Sequence, residues 1–167
     1  MVYNGNKWGK VGIMPVSPLS PHFSMFIGEY THNLDDKGRL AIPKKFRSEL
    51  LKGAVVTRGL DSCLFLYTQT EWKKLADRLA NLPVSQAKAR AFARLFLAGA
   101  MDVDLDKQGR VILPEYLRSF ADLKKNVVVA GLYNRLEVWD EKKWGDYKSK
   151  TEGESAAIAE TMFELGV

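Results

Sequence analysis

A β-rich α+β fold, made of two tandem copies of one small unit, is what this sequence predicts. The first observation behind it is self-similarity, a direct signature of duplication. Residues 34–48 read LDDKGRLAIPKKFRS and residues 105–119 read LDKQGRVILPEYLRS, identical at seven of fifteen positions at an offset of 71. After a one-residue shift, 51–64 (LKGAVVTRGLDSCL) lies over 123–136 (LKKNVVVAGLYNRL), and Trp72 then falls on Trp144. The second observation is that each copy alternates short apolar runs of strand length with Asp, Gly and Pro turn signals. The third is size: a unit of about 43 residues is too small to bury a convincing core alone. Strands of the two copies are therefore expected to interleave around one joint core.

Each element follows in order. A strand (29–34, and 100–105 in the second copy) runs into Asp-x-x-Gly, where Asp opens a turn and Gly38 or Gly109 supplies the positive φ; this reads as a β-hairpin. Short apolar segments follow at 40–42 and 111–113. Pro43 and Pro114 end those segments and suit the first position of short helices, 43–50 and 114–120. Paired strands come next, 55–58 with 63–67 and 127–130 with 136–139, around turns at 59–61 and 131–134. A helix closes each copy, from about Thr70 and about Asp140. Between the copies, SQAKARAFARLFL (85–97) has apolar residues at helical spacing behind a serine suited to capping. The domain plan is thus repeat one over 29–71, a connecting helix within 82–99, repeat two over 100–143 and a weakly helical, acidic tail over 151–167. The first 24 residues, with Pro15, Pro18 and Pro21 and no periodicity, read as a disordered leader, and Met25 as the functional start.

Composition narrows the function classes. Of the 167 residues, 46% are hydrophobic and 27% charged, a globular balance rather than a disordered one. No apolar run approaches the roughly 20 residues that a bilayer span needs. Cys63 is the single cysteine, so no internal disulfide forms and nothing demands an oxidising compartment. A cytoplasmic chain is the expectation. The net charge is +5. That is compatible with nucleic acid but decides nothing, because binding depends on where the charge sits. His22 and His32 stand in no metal-ligand pattern, and no metal or cofactor is expected. No phosphate-binding loop, nucleophile elbow or paired-carboxylate arrangement stands out, so an enzyme is not expected. Cys63, within CLFLY, reads as a buried inert thiol, and Phe92, Leu95 and Phe96 as core.

The motifs also carry a family. MFIGEY at 25–30, then Asp35-x-x-x-Arg39 and Asp106-x-x-x-Arg110, each followed by an apolar triplet and proline, resembles the MraZ family of SpoVT-AbrB-like bacterial transcriptional regulators, across 25–150. The resemblance implies that each repeat is an AbrB-like unit and that the two form a swapped, double-split β-barrel. It implies a nucleoid-associated regulator of the division and cell wall gene cluster. Such a protein binds direct repeats of double-stranded DNA ahead of its own gene, as a ring-shaped homo-oligomer, with the DxxxR arginines facing DNA.

The residues themselves fit that expectation. The major groove admits a two-stranded β-ribbon. An arginine fork matches guanine O6 and N7, so Arg39 and Arg110 are the candidate base readers. Lys37 and Lys107 suit phosphates, which add affinity without sequence information; Lys44, Lys45 and Arg47 extend the basic surface. Asp35 and Asp106 are poor DNA ligands and are expected to cap the turn and orient an arginine by an ion pair. On one copy, Asp-x-x-Gly-Arg is an ordinary solvated turn. Two copies that keep both Asp and Arg, where the turn needs only glycine, point to a task beyond the turn. Arg47 and Arg118 also recur, on the short helices, where a structural ion pair competes with a phosphate contact. Residues 34–48 carry a net +3 and 105–119 a net +1, so the first repeat is expected to supply more of the affinity. The competing class is an antitoxin-type protein-interaction module. Two complete units and only about seventeen residues after Lys150 disfavour it.

Overall fold

A computed structural model of the chain describes residues 25–166; the leader expected over 1–24 lies outside the described residues. The first repeat contributes β1 (Phe26–Asn33), β2 (Arg39–Ala41), a 3-10 turn (Lys44–Phe46) leading into α1 (Arg47–Leu50), β3 (Ala54–Arg58), β4 (Leu64–Thr68) and α2 (Gln69–Ala80). α3 (Ala87–Ala93) follows and ends in a π-turn, Arg94–Ala98. The second repeat contributes β5 (Met101–Val103), β6 (Arg110–Ile112), α4 (Glu115–Phe120), β7 (Asn126–Tyr133), β8 (Leu136–Asp140), α5 (Glu141–Gly153) and α6 (Ser155–Phe163).

The repeats exchange strands. One antiparallel sheet has the order β1-β7-β8-β4-β3-β5, so the first strand of each repeat pairs with the third strand of the other. A separate ribbon pairs β2 with β6, again one strand from each repeat. The core follows from this exchange. Leu40, Ile42, Phe46, Val56, Leu64 and Leu66 of the first repeat pack with Val111, Leu113, Leu117, Val129, Leu136 and Val138 of the second, all nearly or fully buried in one cluster. Phe46 receives the ring edges of Phe26 and Tyr30 at 5.3 and 5.5 Å, which pins β1 over the helical turn that follows β2.

Several expectations need correction. Among the described residues there is no closed barrel: the six-stranded sheet keeps two edges, β1 and β5, and the ribbon stands apart from it. The strands joined by Asp-x-x-Gly do not form a continuous hairpin. After a single bridge, Leu34 with Leu40, β1 and β2 diverge into different sheets. β1 instead pairs along its whole length with β7, from Phe26 opposite Tyr133 to Asn33 opposite Asn126. Strand register also shows where the copies slip. Val103 lies 71 residues after His32, yet their partners Ala54 and Val127 lie 73 apart, one more than the sequence comparison gives for that segment. The connecting helix starts at Ala87, and Gln86 precedes it with no side-chain cap, so Ser85 does not cap it. It packs on α2, and its π-turn on β3. Thr68 and Asp140 do cap the helices that close each copy, accepting from the Glu71 N–H and from the Lys142 and Lys143 N–H groups. The tail is helical: α5 reaches Gly153 and α6 continues from Ser155. Cys63 is fully buried, and burial pushes its thiol pKa well above the ordinary value.

Candidate nucleic-acid interface

The β2–β6 ribbon has an inner and an outer face because side chains alternate along a strand. Leu40 and Val111 point inward and are fully buried. Arg39 pairs with Ile112 and Ala41 with Arg110, so these four share the outer face. Arg39 and Arg110 are diagonal neighbours, which places their Cα atoms roughly 7–8 Å apart. The two arginines of the repeated motif therefore meet on one surface, although 71 residues separate them in sequence. Neither Ala41 nor Ile112, which is 60% exposed, was singled out by the sequence. Their period-two position beside the arginines was visible; the cross-repeat pairing that unites the two faces was not.

The turns extend the ribbon at both ends. The Ile42 N–H donates to the Gly109 carbonyl at 3.0 Å, and the Leu113 N–H to the Gly38 carbonyl at 2.9 Å. Within the first turn, Asp35 Oδ1 accepts from the Lys37 and Arg39 N–H groups at 3.0 and 2.9 Å, and Asp35 Oδ2 from Arg39 Nε at 2.5 Å. The second turn repeats this. Asp106 Oδ1 accepts from the Gln108 and Arg110 N–H groups at 2.8 and 3.0 Å, and Asp106 Oδ2 from Arg110 Nε at 2.8 Å. One carboxylate thus caps the turn and tethers its arginine, while the Arg39 and Arg110 side chains stay 29% and 25% exposed. Glycine is required at both turns: φ is +74° at Gly38 and +75° at Gly109. Space is short there as well, since a Cβ on Gly38 would stand 2.7 Å from Arg118 Nε, and one on Gly109 would collide with the Arg47 side chain.

That crowding shows what Arg47 and Arg118 do. Arg47 Nε donates to the Ile42 carbonyl at 2.8 Å and Arg118 Nε to the Leu113 carbonyl at 3.0 Å. Each helix thereby lays its arginine under the other repeat's turn as a backbone brace, a role that the reading as ion pair or phosphate contact did not include. Lys37 and Lys107 are exposed on the turns, but they are not equivalent positions: Gln108 corresponds to Lys37, and Asp36 to Lys107. Asp36 is exposed too and opposes an anion. Lys44 is exposed. Lys45 Nζ donates to the Ile27 carbonyl at 2.7 Å and sits 4.8 Å from the Phe46 ring centroid, so its ammonium helps to hold β1. Among the described residues, no cluster of His, Cys, Asp or Glu is grouped as a metal site requires, and no helix is long and apolar enough to cross a membrane.

The tether lowers both aspartate pKa values. The backbone N–H of Arg39 and then its side chain hold Asp35 below the usual carboxylate value. The Arg110 side chain, followed by its backbone N–H, pulls Asp106 from 3.8 to about 2. A depressed carboxylate stabilises the fold above its unfolded pKa and loses that contribution as pH falls through the folded value. For Asp106 the window runs from about pH 4 down to about pH 2. In a carboxyl-carbon NMR titration, Asp106 is expected to titrate near the bottom of that window, and in Arg110→Met higher but short of 3.8, because the backbone N–H groups at 108 and 110 still donate to it. An unchanged midpoint in the variant contradicts the tether.

Sequence comparison decides the family. A family model described as "MraZ protein, putative antitoxin-like" matches twice in tandem, over residues 25–95 and 96–165. The chain belongs to the MraZ family. Transcriptional regulator MraZ of Halothermothrix orenii is 50% identical over 143 residues, which cover 86% of this chain and all of that protein. Proteins of the same name from Alkaliphilus metalliredigens and Natranaerobius thermophilus are 48% and 46% identical over the same shares. The MraZ repeats thus match the two β-rich halves that exchange strands here, though the boundary between the two matches, at 95 and 96, falls inside the π-turn after α3.

Proposed function

We propose that this MraZ-family chain is a sequence-specific DNA-binding transcriptional regulator of the cytoplasm, associated with the nucleoid. The observation that carries the reading is the outer face of the β2–β6 ribbon, where Arg39 and Arg110 stand together, each aimed by its own aspartate. A two-stranded ribbon fits the major groove. Two arginines roughly 7–8 Å apart match about two base-pair steps, given a rise of about 3.4 Å per step. Each fork has the geometry to take guanine O6 and N7. Lys37 and Lys107, at opposite ends of the ribbon, flank it as phosphate contacts, and Lys44, two residues after the Ile42 that bonds Gly109, adds to the second end. Arg47 and Lys45 serve the fold first.

The target in this reading is the promoter of the division and cell wall cluster, including the gene's own. One ribbon per chain is a small footprint. A few phosphate contacts give non-specific dissociation constants of roughly 10⁻⁴ to 10⁻⁶ M. A ring of copies presenting identical ribbons to direct repeats tightens binding by on the order of 10² to 10⁴. Fluorescence anisotropy with the duplex upstream of this gene, against a scrambled duplex at physiological salt, tests the reading. A preference of about 10³-fold or more is expected. Equal, strongly salt-dependent binding to both duplexes, or binding to neither, overturns it.

A further inference from the structure

The duplication supplies a template for a part that the second repeat lacks. In the first repeat, the π-turn after α3 covers the outer face of β3 and β4. Phe96 there is buried, its ring centroid 6.0 Å from that of Phe65, and its carbonyl accepts from the Thr57 hydroxyl at 2.7 Å. Strand register makes Ala130 and Glu137 the counterparts of Thr57 and Phe65. At that place the second repeat has an open groove of about 560 Å³, lined by Ala130, Glu137, Phe65, Leu132, Trp144 and Tyr147 among others.

The second repeat nevertheless carries a matching segment. Leu95-Phe96 near the end of the α3 segment has its counterpart in Met162-Phe163 at the end of α6. Phe163 is 78% exposed, and Ile158 and Leu165 are exposed as well. The connections explain the difference. Residues 81–86 let α3 turn back onto α2, whereas only Glu154 separates α5 from α6. The Glu154 N–H bonds the Lys150 carbonyl at 3.1 Å, and the Ile158 N–H bonds the Glu154 carbonyl at 3.0 Å, so α6 runs onward from α5. A connection too short to return an element to its own body favours exchange with another copy.

We propose that α6 of one copy of this chain fills the groove of the next, with Phe163 standing where Phe96 stands in the first repeat. This deepens the assembly part of the reading above and rests on it. The contact is head-to-tail, since helix and groove are different surfaces, and such contacts form rings when the rotation between copies closes. Ile158, Phe163 and Leu165 against Leu132, Trp144 and Tyr147 leave several hundred Å² to bury, less than a standard interface, so the assembly relies on repetition of the contact. Each copy takes part twice, once through its helix and once through its groove.

Sedimentation velocity on the full chain, without DNA, tests this with Phe163→Asp, which spoils the helix, and Leu132→Asp, which spoils the groove. Both residues are exposed, so unchanged thermal unfolding is the control for folding. Each variant alone is expected to lose the assembly, with association weakened at least ten-fold. An equimolar mixture is expected to recover dimers, because one intact helix then meets one intact groove. A wild-type assembly that survives Phe163→Asp overturns the inference and leaves the ring reading standing. A wild-type chain that is monomeric at all concentrations overturns both, while DNA anisotropy judges the ribbon separately.

Discussion

Arg39→Ala is expected to weaken binding to the target duplex by one to two orders of magnitude and to leave binding to a scrambled duplex nearly unchanged. A bidentate arginine contributes about 1–3 kcal/mol of discrimination against the wrong base, and a ten-fold change in affinity corresponds to about 1.4 kcal/mol. Arg110→Ala is expected to do the same by a smaller factor, because residues 34–48 carry a net +3 and residues 105–119 a net +1. The double variant should retain only non-specific binding. Lys37→Ala provides the contrast: removing a phosphate-binding ammonium lowers affinity for both duplexes alike and reduces the salt slope by about one. Equal losses on target and scrambled DNA for Arg39→Ala contradict base reading, and a larger loss for Arg110→Ala contradicts the ranking of the repeats.

Much of this interface was legible because the motif is local. Asp35 to Arg39 closes a five-residue turn whose hydrogen bonds depend only on Asp, Gly, Arg and the backbone between them. The duplicate at Asp106 to Arg110 then advertises itself by identity. The pairing of strands was not legible to the same degree. Arg39 faces Ile112, 73 residues away, and nothing in the alternation of β2 or β6 names its partner. The hairpin expectation failed for the same reason: turn chemistry is local, but the choice between β2 and β7 as the neighbour of β1 is made by long-range burial. Arg47 shows a further limit. A recurring arginine on a short helix reads as ion pair or phosphate ligand, whereas here it accommodates a glycine turn that only the folded arrangement brings beneath it. The one-residue slip in β3 and β7 was hidden because Val55 and Val56 of β3 match the valine run of β7, Val127 to Val129, at either offset.

The two faces of the ribbon should respond to mutation in opposite ways. Leu40 is fully buried against both repeats. Leu40→Ala is expected to cost about 2–5 kcal/mol, the usual range for a leucine cavity in a core. For a domain of this size that lowers Tm by roughly 2–4 °C per kcal/mol, so roughly 4–20 °C in a calorimetric scan. DNA affinity measured well below the new Tm should change little, because Arg39 and Arg110 are tethered by their own turns rather than by Leu40. Ile112 stands on the opposite face, directly across from Arg39. Ile112→Glu is expected to leave stability within about 0.5 kcal/mol, as exposed substitutions usually do. It should weaken DNA binding at least ten-fold, because a carboxylate there competes with DNA for Arg39 and repels the phosphates. The pair of variants separates the fold's use of the ribbon from the ligand's. If Leu40→Ala abolishes binding while the chain is still folded, the inner face takes part in recognition, and if Ile112→Glu binds normally, DNA does not lie on the outer one.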